Sequence, residues 1–299
     1  MRVMISAAGS PASVSILRHV RSLGHSVVGM NADPQVAGLA RAFCDVFHLA
    51  PYADSGEYLD FLSDRLAEVD VFLPFIDEEL VAITQGWGRL RPELAAKIAL
   101  SEPGVVNDCV DKCRFQRLCE QAGLPIAPQA ADAPAYFKPR FGRGGKGVVA
   151  ALDEETFQII KGRDGVVQRA ISGDEFTVDA IFGRDGCLLA TSARRRLRAL
   201  GVSTVGEVTW DEKLHKLAQS LGQAWRFRYA INFQTIRDES GQDWIIELNP
   251  RLAGSAIFSS LAGCDPIAAT LAIWRGESWH GHPRHLRVWR FWQELVEEP

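Results

Sequence analysis

The segment FKPRFGRGGKG, residues 137–147, decides between two folds for this chain. Gly142, Gly144 and Gly147 have the spacing of a dinucleotide-binding fingerprint, and the same segment carries four basic side chains. That fingerprint must follow a strand and open a helix, so that the helix N-terminus faces a pyrophosphate. Here AYFKP predicts the strand, but GVVAAL, which begins at Gly147, predicts a second strand instead of a helix. The segment therefore predicts a hairpin between two strands, which we call the glycine loop.

The glycine loop is not a P-loop either. Arg140 stands where that motif needs its first glycine, and Gly147 stands where Ser or Thr should follow Lys146. What remains is a hairpin that offers backbone N–H groups and cations to a phosphate chain. Taken alone, the same residues are equally consistent with a mobile surface turn.

Composition predicts a multidomain globular protein. The chain has 299 residues, of which 47% are hydrophobic, and a formal net charge of −4. A negative balance argues against a broad nucleic-acid-binding surface, and we expect no nucleic-acid partner. Since no apolar run approaches the length of about 20 residues that spans a membrane, we expect a soluble, cytoplasmic protein without a membrane partner.

Residues 1–107 alternate short strand-like runs with amphipathic helical runs, which predicts βαβ units and a Rossmann-like domain. Ligand sites in such a sheet lie at the carboxyl ends of the strands. Asp33 ends the second predicted strand. A ribose-binding role is one interpretation, but capping or turn formation is favoured because Pro34 follows. Glu78 and Glu79 end a later strand, where they could reach a substrate amine or simply occupy the start of a helix.

The rest of the chain divides into three segments. The first, 108–182, opens with a predicted helix, CVDKCRFQRLCEQAG, and then becomes rich in strands. The second, 183–275, contains a strand pair and a helix that Thr209 opens, with Glu212 at capping-box spacing. Its predicted core face is Leu214, Leu217, Leu221 and Trp225. Residues 276–299 form a C-terminal tail.

Five short motifs occur in a fixed order: DK at 111–112, KPRFGRGGKGV at 138–148, QRAISGDEFTVD at 168–179, NFQ at 232–234 and ELNPR at 247–251. Together they resemble the ATP-grasp superfamily. Within it, the chain is most similar to ligases related to the carbamoyl-phosphate synthase large subunit and to amino-acid ligases such as the pyrrolysine-biosynthesis ligase. The resemblance implies an α/β fold, α+β in the catalytic part, in which a Rossmann-like pre-ATP-grasp domain precedes a two-part ATP-grasp domain.

The resemblance also implies an ATP site. Lys112 and Lys138 match two lysines that contact ATP phosphates, and the glycine loop would close over the β- and γ-phosphates. Glu175 matches the acid that binds the ribose hydroxyls, and Ala170 and Ile171 match the hinge that holds adenine through its backbone. The implied nucleotide-binding residues are Lys112, Lys138, Gly144, Gly145, Lys146, Ala170, Ile171 and Glu175.

A metal site follows from the same comparison. Glu247 and Asn249 alternate with apolar residues on a predicted strand, so both point to one face as oxygen ligands of Mg²⁺ should. Gln234 matches a further metal-side ligand, and Mn²⁺ is an alternative ion. Arg251 and Lys138 would be catalytic, because they place positive charge at the transferring phosphoryl group.

The implied activity is an ATP-dependent carboxylate–amine ligase that acts through an acyl phosphate and releases ADP and phosphate. Its partners would be a small-molecule carboxylate and amine, and dimers occur among the relatives. The chain departs from the family pattern at Arg169, Gly145 and Gln234. An alternative hypothesis is therefore a non-catalytic or weakly catalytic ATP-binding sensor or scaffold.

Arg194, Arg195, Arg196 and Arg198 form the densest basic cluster. Strand alternation would send three of them to one face, where one or two could clamp a substrate carboxylate. A charged, solvated edge strand is the competing interpretation.

Overall fold

The computed structural model describes residues 1–200, 202–291 and 293–296. Its N-terminal part contains a four-stranded parallel sheet of order β3-β2-β1-β4. The strands are β1 (Arg2–Ile5), β2 (Ser26–Asn31), β3 (Val46–Leu49) and β4 (Val71–Leu73). The helices are α1 (Ser13–Ser22), α2 (Ala37–Phe43), α3 (Tyr58–Ala67), α4 (Asp77–Gln85), α5 (Pro92–Ala95) and α6 (Pro103–Val110). This is the predicted Rossmann-like domain, hereafter the front domain.

A small antiparallel sheet of order β6-β5-β7 follows. It contains β5 (Ala135–Pro139), β6 (Val149–Ala151) and β7 (Gly165–Arg169), with α7 (Lys112–Gln121) before it and α8 (Glu154–Ile160) between β6 and β7. Because β5 pairs with β6 in antiparallel register, the glycine loop is a hairpin between two strands, as predicted.

The third unit is a six-stranded antiparallel sheet of order β12-β11-β8-β9-β10-β13, hereafter the large sheet. Its strands are β8 (Asp174–Phe182), β9 (Leu188–Leu200), β10 (Val202–Thr209), β11 (Tyr229–Arg237), β12 (Asp243–Asn249) and β13 (Leu286–Trp289). Its helices are α9 (Glu212–Trp225), α10 (Ala256–Leu261) and α11 (Pro266–Arg275). The predicted core face of α9 is confirmed, since Leu214, Leu217, Leu221 and Trp225 are all buried.

Two strands lie in a different unit from their predicted segment. β8 falls within 108–182 but pairs with β9 and β11 of the large sheet, so the two sheets divide ahead of residue 174. β13 lies in the C-terminal tail, yet it pairs with β10 and extends the large sheet. Sequence spacing alone does not show which neighbouring strands a segment pairs with.

Two helix starts also differ from the predictions, because an aspartate caps each helix. α6 ends at Val110, and a new helix starts at Lys112, where the Asp111 side chain accepts a hydrogen bond from the Arg114 N–H at 3.1 Å. Similarly, Asp211 caps α9 by accepting from the Leu214 N–H at 3.0 Å, so the predicted cap at Thr209 is wrong. Both aspartates accept from a first-turn N–H, the usual capping contact.

The front domain and the large sheet share one apolar core. Ile16 and Leu17 of α1 are fully buried together with Ala256 of α10 and Ile267 of α11. At the edge of this contact, His19 and Asp265 lie 2.6 Å apart. A continuous core of this kind holds the two units in a fixed relation, so the cleft between them is shaped by packed elements on both sides. Among the described residues, no helix has the length and apolar character needed to cross a bilayer.

Candidate active site

A cleft of about 1040 Å³ lies where the front domain, the glycine loop and the large sheet meet. It gathers most of the residues proposed from sequence: Lys112, Lys138, Gly144, Gly145, Lys146, Gln234, Glu247, Asn249 and Arg251 all line it. These side chains come from α7, β5, the glycine loop, β11, β12 and the segment after β12. The chain segments that carry them are far apart in sequence, so the fold is what assembles the set.

Lys112 and Lys138 are held at the base of the glycine loop. Lys112 Nζ donates to the Gly142 carbonyl at 2.6 Å, and Lys138 Nζ donates to the Ile246 carbonyl at 2.8 Å. Burial lowers the pKa of Lys138 to about 8, although Glu247 acts in the opposite direction. An ammonium group in this position gains strongly from a bound anion, because a nearby negative charge favours its charged form.

Asp111 explains why Asp and Lys stand together in the DK motif. Its carboxylate accepts from Arg140 Nε at 3.0 Å and from Nη2 at 2.7 Å, and it also caps α7. Burial alone would raise the pKa of Asp111, but the Arg140 and Arg114 hydrogen bonds more than offset this and lower it. Asp111 therefore ties the root of the glycine loop to the helix that carries Lys112.

The glycine loop needs glycine for its backbone conformation. Gly144 and Gly145 have φ values of +64° and +75°, and no other atom lies within 4 Å of where a Cβ would stand. Side chains rarely adopt this left-handed region without strain. Gly145, one of the positions at which the chain departs from the family pattern, thus has a structural reason to be glycine. Arg143 of the same loop reaches the front domain, where its Nε lies 2.9 Å from Glu78.

Gln234, Glu247 and Asn249 lie on adjacent strands of the large sheet. Gln234 faces Glu247 across the β11–β12 pair, and Asn232 faces Asn249. A β-bulge follows, because Thr235 pairs with Ile245 and leaves one extra residue on β12. Ile246 and Glu247 consequently both line the cleft, which strict alternation did not predict. Bulges commonly re-aim side chains in this way.

The donor set at this position fits Mg²⁺. It offers one carboxylate and two amide oxygens, and hard divalent cations prefer oxygen ligands. In the part of the chain that the structure describes, the side chains of Gln234 and Glu247 make no hydrogen bond, so both are available. The same part of the chain contains no group of three His, Cys, Asp or Glu that could hold a metal. The assignment of these three ligands therefore remains a prediction.

Arg251 makes the main polar link between the two walls of the cleft. Its Nε lies 2.5 Å from Asp77 Oδ1, and both side chains are about nine-tenths buried. Its Nη2 donates to Asn249 Oδ1 at 3.3 Å, so the arginine also contacts the proposed metal position. Asp77 begins α4, where an acid is further stabilised by the helix dipole. Asp77 is not recognisable from the sequence as a residue of this site, because only the fold brings it close to Arg251.

Glu175, Ala170 and Ile171 do not line the main cleft. Glu175 forms an ion pair with Arg196, and Arg196 does line the cleft. The Ala170 N–H donates to the Pro134 carbonyl at 3.0 Å, so that hinge amide is already bonded within the protein. The roles proposed for these three residues stay predictions.

Gln168 is a candidate nucleotide-contacting residue to which the sequence analysis gave no role. It lines a second, narrow cavity of about 10 Å³ beside Lys112 and Glu247. Its Nε2 donates to Gln116 Oε1 at 2.8 Å, while its Oε1 is buried without a hydrogen-bond partner among the described residues. Val166 and Gln168 alternate with more exposed residues on β7, so both side chains are buried. This alternation could have indicated Gln168, because a buried polar residue needs a hydrogen-bond partner.

The members of the arginine cluster have different surroundings, and the substrate-clamp role stays a prediction, with Arg196 lining the cleft. Arg194 is fully buried, and it pairs with Asp179 and Ser259. Arg195 points to the other face, where it contacts Glu207 at 2.9 Å. β9 lies between β8 and β10, so the edge-strand interpretation is wrong.

Of the competing interpretations of Asp33, capping is confirmed, because its Oδ1 accepts from the Gln35 N–H at 2.9 Å.

Comparisons with known proteins support the same fold. A family model described as "ATP-grasp in the biosynthetic pathway with Ter operon" matches residues 161–293. The N5-carboxyaminoimidazole synthetase of Staphylococcus aureus, solved with ADP, superposes with a TM-score of 0.74 at 15% identity, over 95% of this chain and 79% of that one. Residues 161–293 therefore match an ATP-grasp family model, and the predicted resemblance to the ATP-grasp superfamily is confirmed. The predicted fold class is confirmed.

Two further matches are one solved structure and one sequence relative. The biotin carboxylase domain of Hydrogenobacter thermophilus 2-oxoglutarate carboxylase, solved with MgADP and bicarbonate, gives a TM-score of 0.72 at 15% identity and covers 94% of this chain and 71% of that one. The carbamoyl phosphate synthase large chain of Thermotoga petrophila is 22% identical over 304 residues, which cover 86% of this chain. The chain spans only 27% of that relative's length.

Proposed function

We propose that the chain is an ATP-dependent carboxylate–amine ligase that acts through an acyl phosphate. The observation that carries this proposal is the composition of the cleft, in which two lysines, an arginine, a glycine hairpin and an oxygen donor set converge. Phosphoryl transfer requires positioning and neutralisation of charge more than covalent chemistry from the protein. The names of the similar proteins, which include synthetases and carboxylases, support the same class of reaction.

In the proposed reaction a carboxylate oxygen attacks the γ-phosphorus of ATP, and the bond between that phosphorus and the β,γ-bridging oxygen breaks to release ADP. The substrate amine loses a proton from its ammonium form, its nitrogen attacks the acyl carbon, phosphate leaves, and the nitrogen loses a second proton. Lys112 and Lys138 would hold the phosphates, and Arg251 would neutralise charge on the transferring group. Gln234, Glu247 and Asn249 would hold Mg²⁺, which supplies charge neutralisation to the phosphate oxygens when it is bound.

The nucleobase would lie in the narrow cavity beside Lys112. The free Oε1 of Gln168 can accept a hydrogen bond from an exocyclic amino group such as that of adenine. At about 10 Å³ the cavity is too small for a purine as it stands, so binding would widen it. Comparison of ATP with GTP and ITP tests this point, since the latter two present a carbonyl in place of the amino group.

The direct test of the ligase is acyl-phosphate trapping. The protein is incubated with ATP, Mg²⁺ and pools of small carboxylates, and hydroxylamine is added to capture the acyl phosphate as a hydroxamate. We expect stoichiometric ADP and hydroxamate from one pool, with no hydroxamate when ATP is replaced by its non-hydrolysable β,γ-imido analogue. ADP formation that no carboxylate accelerates would contradict the proposal.

A second candidate is an ATP-binding sensor or scaffold. It is favoured by the single carboxylate, Glu247, among the proposed metal ligands. One pair of measurements separates the two functions, because a sensor would bind ATP in calorimetry but release no phosphate with any carboxylate–amine pair.

A further inference from the structure

The charged side chains of the cleft are sorted by sign between its two walls. On the front-domain wall the charged lining residues are Asp33, Asp54, Glu78 and Glu79, all acidic. On the opposite wall they are Lys112, Lys138, Arg143, Lys146, Arg196 and Arg251, with Glu247 as the only acid among the described residues. A polyphosphate is attracted to the second wall and repelled by the first. The acidic wall therefore requires a different ligand.

The burial of Glu79 distinguishes this wall from an ordinary acidic surface. Its side chain is only 3% exposed, yet it lines the cleft, and its Oε2 has no hydrogen-bond partner in the described part of the chain. An uncompensated carboxylate is costly to bury, and proteins usually pair such groups. The other acids are already engaged or solvated: Asp33 caps a turn, Glu78 pairs with Arg143, and Asp54 is exposed.

The groups around Glu79 leave one side of it open to the cleft. The Ser6 and Tyr58 hydroxyls lie beside the carboxyl, and the charges of Arg143 and Glu78, which line the cleft, also act on it. Ser6 Oγ accepts from the Phe75 N–H at 2.9 Å, which leaves its own hydrogen for Glu79. Burial raises the pKa of Glu79 to about 7 against the opposing effects of Ser6, Tyr58 and Arg143. A cation bound here would favour the ionised form.

The surroundings of Glu79 favour an organic cation over a metal ion. Ile16, Val36, Phe75 and Pro51 line the same wall and offer no oxygen ligands from their side chains. We propose that this front-domain pocket binds the amine substrate as its ammonium ion, with Glu79 contacting the charged nitrogen and the apolar wall contacting its carbon skeleton. The inference rests on the proposed ligase, and it assigns the carboxylate substrate to the side of Arg251.

The test compares three small probes of similar shape and different charge. Calorimetry with the full chain, with and without the β,γ-imido analogue of ATP and Mg²⁺, uses phenethylamine, 2-phenylethanol and phenylacetate. We expect phenethylamine to bind at least ~10-fold more tightly than the alcohol, since an ion pair to a desolvated carboxylate strengthens the contact. We expect the affinity for phenylacetate to be unaffected by loss of the Glu79 charge, because this anion would bind on the side of Arg251.

Variants locate the binding to Glu79. Glu79→Gln should weaken phenethylamine binding at least ~10-fold while nucleotide affinity stays unchanged, and Glu79→Asp, which keeps the charge, should restore part of it. Glu93→Gln is the matched control, because Glu93 is an exposed acid on α5 outside the cleft. Wild-type affinity for phenethylamine should also rise between pH 6 and pH 8 as Glu79 ionises.

Two results would overturn the inference: equal binding of the three probes by the wild-type protein, or unchanged phenethylamine affinity in Glu79→Gln. If that variant does not fold, the wild-type probe comparison decides alone. The outcome is independent of turnover. Hydroxamate formation without any ammonium preference would keep the ligase and reject the pocket, whereas ammonium binding without hydroxamate formation would keep the pocket and reject the ligase.

Discussion

The two walls of the cleft are built in different ways. On the large sheet, Gln234, Glu247 and Asn249 come from two paired strands whose hydrogen bonds fix the side chains relative to one another. On the front domain, the lining residues come from the loops that follow separate parallel strands and from the first turns of the helices after those loops. Side chains on paired strands are fixed in the geometry that phosphoryl transfer needs, whereas loops can change in sequence without disturbing the sheet. The first wall is therefore suited to shared chemistry, and the second to substrate choice.

The largest effect should come from removing charge on the strand-borne wall. Lys138→Ala and Glu247→Gln should each lower ATP-dependent turnover at least ~10²-fold, because each removes a main charge from the reaction centre. Steady-state ADP release with the substrate pair found by hydroxamate trapping measures this. Glu93→Gln should retain full activity. Near-normal turnover in Lys138→Ala would show that this wall does not carry the chemistry.

The next effect concerns the ion pair that joins the two walls. Asp77→Asn leaves the buried Arg251 without its charged partner, and breaking such a pair costs about 3 to 5 kcal/mol of stability. Chemical denaturation should show this loss. Asp60→Asn serves as the control, because Asp60 and Arg89 form an exposed pair worth at most about 1 kcal/mol. An Asp77→Asn variant as stable as the wild type would mean that the walls are held together by their apolar core alone.

A smaller effect should separate Glu79 from the carboxylates of the other wall. Its pKa in the folded protein is raised to about 7, so the folded state retains a proton that the unfolded chain loses above about pH 4.5. The contribution of Glu79 to the free energy of unfolding of the wild-type protein is fully present below pH 4.5. It is lost as pH rises through 7. In Glu79→Gln that dependence, up to about 3 kcal/mol, should disappear.

Denaturant melts between pH 5 and pH 8 measure the difference between wild type and Glu79→Gln. The other groups that titrate in this range are common to both proteins, so the difference isolates residue 79. A constant difference across the range would show that Glu79 remains ionised throughout, which would require a partner that the fold does not supply.

Sequence predicted the strand-borne wall better than the loop-borne wall. Lys138, Glu247 and Arg251 follow from short motifs, because each motif is a local stretch whose strand places its residues in one register. The bulge at Ile246 was missed, since it depends on how β12 pairs with β11. Asp77 was missed because its partner lies 174 residues away. The helix starts after Asp111 and Asp211 could have been predicted, since aspartate followed by a helical run is a capping signal.

The smallest effect concerns Gly145, where strain and chemistry oppose each other. A serine hydroxyl would offer the phosphates one more hydrogen bond, but φ at this residue is +75°, a conformation that costs a side chain about 1 kcal/mol or more. We expect Gly145→Ser to raise the KM for ATP about 5-fold, since about 1 kcal/mol corresponds to that factor. Gly88→Ser is the matched control, because Gly88 is exposed and has open space around it. If the serine instead lowers KM, the loop must abandon this conformation when ATP binds, and its glycines then serve movement more than the bound shape.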